Sequence, residues 1–95
     1  MELNELPGSE LILPGLEDIY RGRNNTIGSL LIAIASVRLT EAGLDIPQEP
    51  LMSEPELALY AHLQNECDDA YSYYNALLNS LNSFCTALEL KSRYK

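Results

Sequence analysis

The sequence predicts an all-α fold: a helical bundle of three short N-terminal helices plus one long C-terminal helix, completed by dimerisation. Three observations predict it. From Ser53 to Leu90, apolar residues recur at alternating steps of three and four, which is the period of a helix. The shorter apolar segments are bracketed by Ser or Thr before them and Gly after them, the ordinary start and stop signals. The connections are short, as bundles require.

The elements follow in order. Residues 1–8 read as a loose N-terminus ending in the turn signal Pro7-Gly8. Residues 9–43 hold the short helices. Ser9 opens the first, which runs to about Arg21 with Ile12, Leu16, Ile19 and Tyr20 on one face. Pro14 lacks an N–H and is expected to bend or interrupt it. Gly22 is placed to cap its C-terminus, and Arg23 to Asn25 form a loop. Thr26 is a good N-cap for Ile27 to Ala35. That segment is apolar nearly all round and should be the buried central helix, although its β-branched residues leave a strand as the alternative. Gly28 and Ser29 are small enough to let another helix approach closely. Ser36 can cap a further helix, Val37 to Ala42, stopped by Gly43. Residues 44–52, with Pro47 and Pro50, form an extended linker.

Residues 53–91 read as the long helix. Ser53 and Glu56 make a capping box, with Pro55 in the first turn where its missing N–H does no harm. The seam reads Leu57, Tyr60, Gln64, Cys67, Tyr71, Tyr74, Leu78, Leu81, Cys85 and Leu88; all but Gln64 are apolar or aromatic. A second row, Leu63, Ala70, Leu77 and Phe84, widens the stripe to a face that touches two neighbours. Propensity is poor at Asn65 to Asp69 and at Asn79 to Ser83, but neither stretch contains a Gly to turn the chain. An unbroken helix of this length is a rod of about 55 Å. A compact domain of this size has a radius of gyration of only about 12–13 Å. The rest of the subunit is too small to keep such a rod dry, so a homodimer is expected. Leu57, Tyr60, Cys67, Tyr71, Tyr74, Leu78, Leu81, Phe84 and Leu88 are its predicted interface. Tyr73 lies off the seam and is expected to be the most exposed of the tyrosines.

Charge narrows the function classes. Net charge is −8, with six Lys plus Arg against fourteen acids. Nucleic acid and anionic lipid both need clustered cations, so neither is an expected partner. A Thr26–Gly43 helix-turn-helix would carry a single cation, Arg38, on its second helix, which is too few to read DNA. The N-terminus lacks the basic-then-apolar order of a signal peptide, and Leu30 to Ala35 is too short to span a bilayer. The expected location is cytoplasmic, with Cys67 and Cys85 reduced core residues about 27 Å apart along the rod.

The sequence holds no convincing catalytic set, and no enzyme or cofactor is expected. His62 is the only imidazole, and Cys67 at an offset of five points about 140° away from it. His62, Glu66 and Asp69 share one side of a continuous helix and are the one conceivable metal set. The polar reading, a solvated face, is the stronger. Gly8, Gly15 and Gly22 suit turn, packing and cap roles rather than a phosphate loop. Arg21, Arg23 and Arg38 either pair with Glu17, Asp18 or Glu41 or contact an anion or partner near the Arg21–Asn25 loop. The expected function is therefore a non-enzymatic interaction or regulatory module acting as a homodimeric bundle. The alternatives are an acidic, antitoxin-like inhibitor of a basic partner enzyme, and a metal-binding helical protein using His62, Glu66 and Asp69.

Overall fold

The computed structural model describes residues 3–47, 53–66 and 68–93, and there is no strand among them. A 3₁₀ turn at Leu3–Glu5 precedes five α-helices: α1 Ser9–Tyr20, α2 Ile27–Ile34, α3 Ser36–Glu41, α4 Pro55–Glu66 and α5 Ala70–Arg93. Cys67, residues 48–52 of the expected linker, and Met1 and Glu2 of the expected loose N-terminus lie outside the described residues.

Local chemistry explains the first three helices. Thr26 caps α2 as expected: its Oγ1 accepts the Ser29 N–H at 3.1 Å, and the Ser29 Oγ accepts the Thr26 N–H at 3.0 Å. The Thr26 hydroxyl also donates to Asp18 at 2.8 Å and so ties the start of α2 to the end of α1. α1 ends in a Schellman motif. Gly22, at φ 81, donates to Ile19 O, and Arg23 donates to Asp18 O. Gly43, at φ 106, ends α3 in the same way, with Leu44 donating to Leu39 O. Pro14 does not interrupt α1; it sits at an exposed position where one missing N–H is tolerated.

α1 opens at Ser9, as expected; Gly8 occupies the cap position in a left-handed conformation, and the Ser9 hydroxyl donates to Asn4 O at 3.0 Å. Two expectations are corrected in this region. The N-terminus is not loose from residue 3 onward, because Leu6 is 4% exposed and Gly8 lies against Ser80. Ser36 begins α3 rather than capping it, with Ala35 at the cap.

α2 is the hub, as its all-round apolarity suggested. It packs on α1, α3, α4 and α5, with Leu30, Leu31 and Ile32 fully buried. Backbone nearly touches backbone where it crosses α1: a methyl on Gly28 would stand 2.8 Å from the Gly15 Cα.

The largest correction concerns the long helix. The chain does not continue as one rod through 53–91; α4 ends at Glu66, α5 starts at Ala70, and the two pack together as a hairpin. The break needs no glycine because Asp69 is an N-cap. Its Oδ1 accepts the Ser72 N–H at 3.3 Å and its carbonyl accepts the Tyr73 N–H. The second weak stretch, Asn79 to Ser83, runs unbroken inside α5. At the other end α4 begins at Pro55, after Glu54 in a left-handed conformation at φ 51, so the Ser53–Glu56 box is out of register by one residue. The radius of gyration is 12.9 Å, close to the value of about 12–13 Å for a compact chain of this length. With no overlong rod, no second copy is required to keep one dry.

The stripe is also rotated. The inward row is Leu59, Leu63, Ala70, Leu77 and Phe84, joined by Leu81, Cys85 and Leu88. The widening row of the sequence pattern is thus the core, and Leu57 and Tyr71 of the expected seam are turned outward.

Candidate functional site

The residues predicted as an interface fall into two groups. Leu81, Phe84 and Leu88 are 5%, 0% and 0% exposed within the chain's own core, so they are corrected from interface to core. Leu57, Tyr60, Tyr71, Tyr74 and Leu78 lie on the flank of the α4–α5 hairpin. Cys67 lies outside the described residues.

Helical spacing builds this flank. Leu57 and Tyr60 share one side of α4, and Tyr71, Tyr74 and Leu78 share one side of α5. The two rows are joined by Tyr60 and Tyr74, whose rings meet edge to face with centroids 5.5 Å apart. Tyr60, Tyr74 and Leu78 are half-buried, while Leu57 and Tyr71 are each 67% exposed. Tyr71 is thus more exposed than Tyr73 at 47%, contrary to expectation, because the core face is rotated.

The surroundings of the flank are acidic. Glu54 and Glu56 stand at the start of α4, and Asp68 and Asp69 form the turn just before Tyr71; all four are exposed. Burial, and then the charge of Glu56, push the Tyr74 hydroxyl above its ordinary pKa of 10.0. No Lys or Arg occurs between Arg38 and Lys91. The cation-free stretch of the sequence coincides with this surface.

Arg38 covers the same side of α5 further along. Its guanidinium donates to both carboxylate oxygens of Glu89, at 3.1 and 2.9 Å, and to Asn82 at 2.9 Å. The expected partner Glu41 is thereby replaced by a residue of α5. Arg21 pairs with Glu17 at 2.6 Å, and Arg23 stands 3.9 Å from Asp18, as the sequence suggested. Each of the three arginines faces a carboxylate.

The metal set comes apart with the helix break. His62 and Glu66 remain on α4, with Nδ1 and Oε1 3.6 Å apart, while Asp69 caps α5. The His62 Nε2 lies 2.9 Å from the Asn25 carbonyl, linking α4 to the loop before α2; nothing local in the sequence signals this contact. Among the described residues no three His, Cys, Asp or Glu side chains stand close enough to hold a metal ion.

Cys85 carries a free thiol, 1% exposed. Burial pushes its pKa above the ordinary 9.0, the Arg38 charge pulls it down, and Glu89 pushes it up again. A buried neutral thiol is a weak nucleophile. Two of the surface's open recesses lie among the described residues. One of ≈ 370 Å³ lies between α3 and residues 44–47, floored by Val37 and Ile46. The other, of ≈ 340 Å³, lies beside His62 and Asn25. Among the described residues no helix is long and apolar enough to cross a membrane. No family model matches the sequence, and neither the curated proteins nor the solved structures give a match to it.

Proposed function

We propose that this chain is a non-enzymatic interaction module that binds a protein partner through the α4–α5 flank. The observation that carries the reading is the joined row of Leu57, Tyr60, Tyr71, Tyr74 and Leu78, half-buried or exposed; unlike the separately exposed Tyr20 and Val37, it runs across two helices and is tied together by the Tyr60–Tyr74 ring contact. Aromatic side chains with a wet rim are the usual anchors of protein interfaces. The chemistry available elsewhere supports a binding role. The one imidazole is engaged with Asn25 and Glu66, and the Cys85 thiol is buried and neutral.

Twofold self-pairing, expected from the rod, belongs to the same reading in a narrower form. It now rests on the flank alone, with Leu57 and Tyr71 as the contacts a second copy would use. The test is a comparison of the wild-type chain with the Leu57→Ser/Tyr71→Ser double variant, by capture from a native lysate and by sedimentation. A captured protein or a sedimentation shift present in the wild type and lost in the variant is the expected result. Identical behaviour of the two chains in both measurements overturns the reading.

A further inference from the structure

From the charges around the flank, and resting on the interaction reading above, we infer that its occupant is a basic amphipathic helix of another protein rather than a second copy of this chain. The apolar row lies between two acidic ends. Glu54 and Glu56 lie within a turn of Leu57, and Asp68 and Asp69 directly precede Tyr71. Glu56 is close enough to Tyr74 to raise its pKa. No Lys or Arg interrupts the sequence from residue 39 to residue 90, so no cation on α4 or on α5 before Lys91 offsets these charges.

That frame selects its partner. An apolar row framed by carboxylates is complementary to an apolar face bordered by cations. A twofold pairing through this flank would bring Glu54, Glu56, Asp68 and Asp69 of two copies to one interface; Arg38, the cation beside the flank, is already held by Glu89, and like-charge juxtaposition opposes assembly. A partner helix with apolar residues at i, i+3, i+4 and i+7 offers one continuous apolar face to pack along the Leu57–Leu78 row. Lys or Arg on the borders of that apolar face would meet the acids at both ends.

The experiment uses three synthetic peptides against the full chain. One is a Leu/Lys amphipathic helix, the second has the same Leu spacing with Glu for Lys, and the third is an oligo-lysine without Leu. Binding is followed by calorimetry between about 20 and 300 mM salt, alongside sedimentation of the chain alone. The Leu/Lys helix is expected to bind, to weaken by at least about tenfold across that salt range, and to lose at least about tenfold in affinity with Leu57→Ser/Tyr71→Ser, which leaves net charge unchanged. Two results overturn the basic occupant but keep the flank as a binding surface. One is a dimer of the chain alone that the double variant dissolves; the other is equal binding of the Leu/Glu helix that the variant abolishes. Oligo-lysine binding as tightly as Leu/Lys, or Leu/Lys binding untouched by the variant, overturns both the occupant and the flank. No peptide binding at low salt overturns the inference, and the capture comparison above then decides the flank separately.

Discussion

A methyl group on Gly15 would stand 2.3 Å from the carbonyl oxygen of Gly28, closer than any side-chain carbon can approach a backbone atom. Replacing glycine by alanine in a helix ordinarily stabilises it by about 1 kcal/mol. Here the sign reverses, because α1 and α2 would have to move apart and open the core around Ile12 and Leu30. Gly15→Ala is expected to destabilise by about 2–3 kcal/mol in urea titration. Gly22→Ala, at φ 81 with nothing within 4 Å, is expected to lose only about 1 kcal/mol, from the left-handed backbone alone.

Asp69 separates α4 from α5 through its cap. Asp69→Ala removes the acceptor of the Ser72 N–H and is expected to destabilise by about 1 kcal/mol. Asp69→Asn keeps the acceptor and is expected to stay within about 0.5 kcal/mol of the parent by the same titration.

Arg38 holds α3 to α5 through Glu89 with two hydrogen bonds, but both side chains are about two-fifths exposed, at 41% and 39%. Solvent screening limits such a pair. A double-mutant cycle on Arg38→Met and Glu89→Gln is expected to return a coupling of about 1 kcal/mol. The same cycle with Glu41→Gln in place of Glu89→Gln is expected to return a coupling near zero.

Outward and inward members of the α4–α5 hairpin should behave differently. Leu57→Ser and Tyr71→Ser, each at a position 67% exposed, are expected to change stability by about 0.5 kcal/mol or less apiece. Phe84→Ala, fully buried on α5, is expected to lose about 3–5 kcal/mol. Thermal melting of the three variants checks both.

One buried thiol and one half-buried phenol lower stability at alkaline pH. Burial raises both the Cys85 thiol and the Tyr74 hydroxyl above their ordinary values of 9.0 and 10.0. As pH rises, the unfolded chain releases these protons first and binds fewer than the folded one, so stability falls. The full contribution is present below pH 9.0, and the loss begins there with the thiol and continues above 10.0 with the phenol. Urea midpoints followed from pH 8 to 11 should show this decline, and Cys85→Ala should flatten its first part.

What the sequence made legible was local. Thr26, Gly22 and Gly43 act through atoms of their own turns, so their roles can be read from neighbouring residues. Gly15 and Gly28 were readable as small residues suited to packing, though not as each other's partners. The break after Glu66 was misread because Asp69 looks the same as an exposed acid and as a cap; only the start of a second helix separates the two. The apolar period located the stripe but could not say which row a neighbour covers. Leu81, Phe84 and Leu88 were therefore grouped with Leu57 and Tyr71, although α1, α2 and α3 bury the former and leave the latter outside. Arg38 was assigned to the nearest acid in the chain, whereas its partner lies on a helix that only tertiary packing brings alongside.

The contact of Gly8 with Ser80 gives the fold an order of events. Residues made early must find residues made late, so the fold cannot close while the chain is still being synthesised through α4. Until α5 has emerged, the turn at Gly8 has no Ser80 to close against, and chaperone contact or degradation should concentrate in that interval.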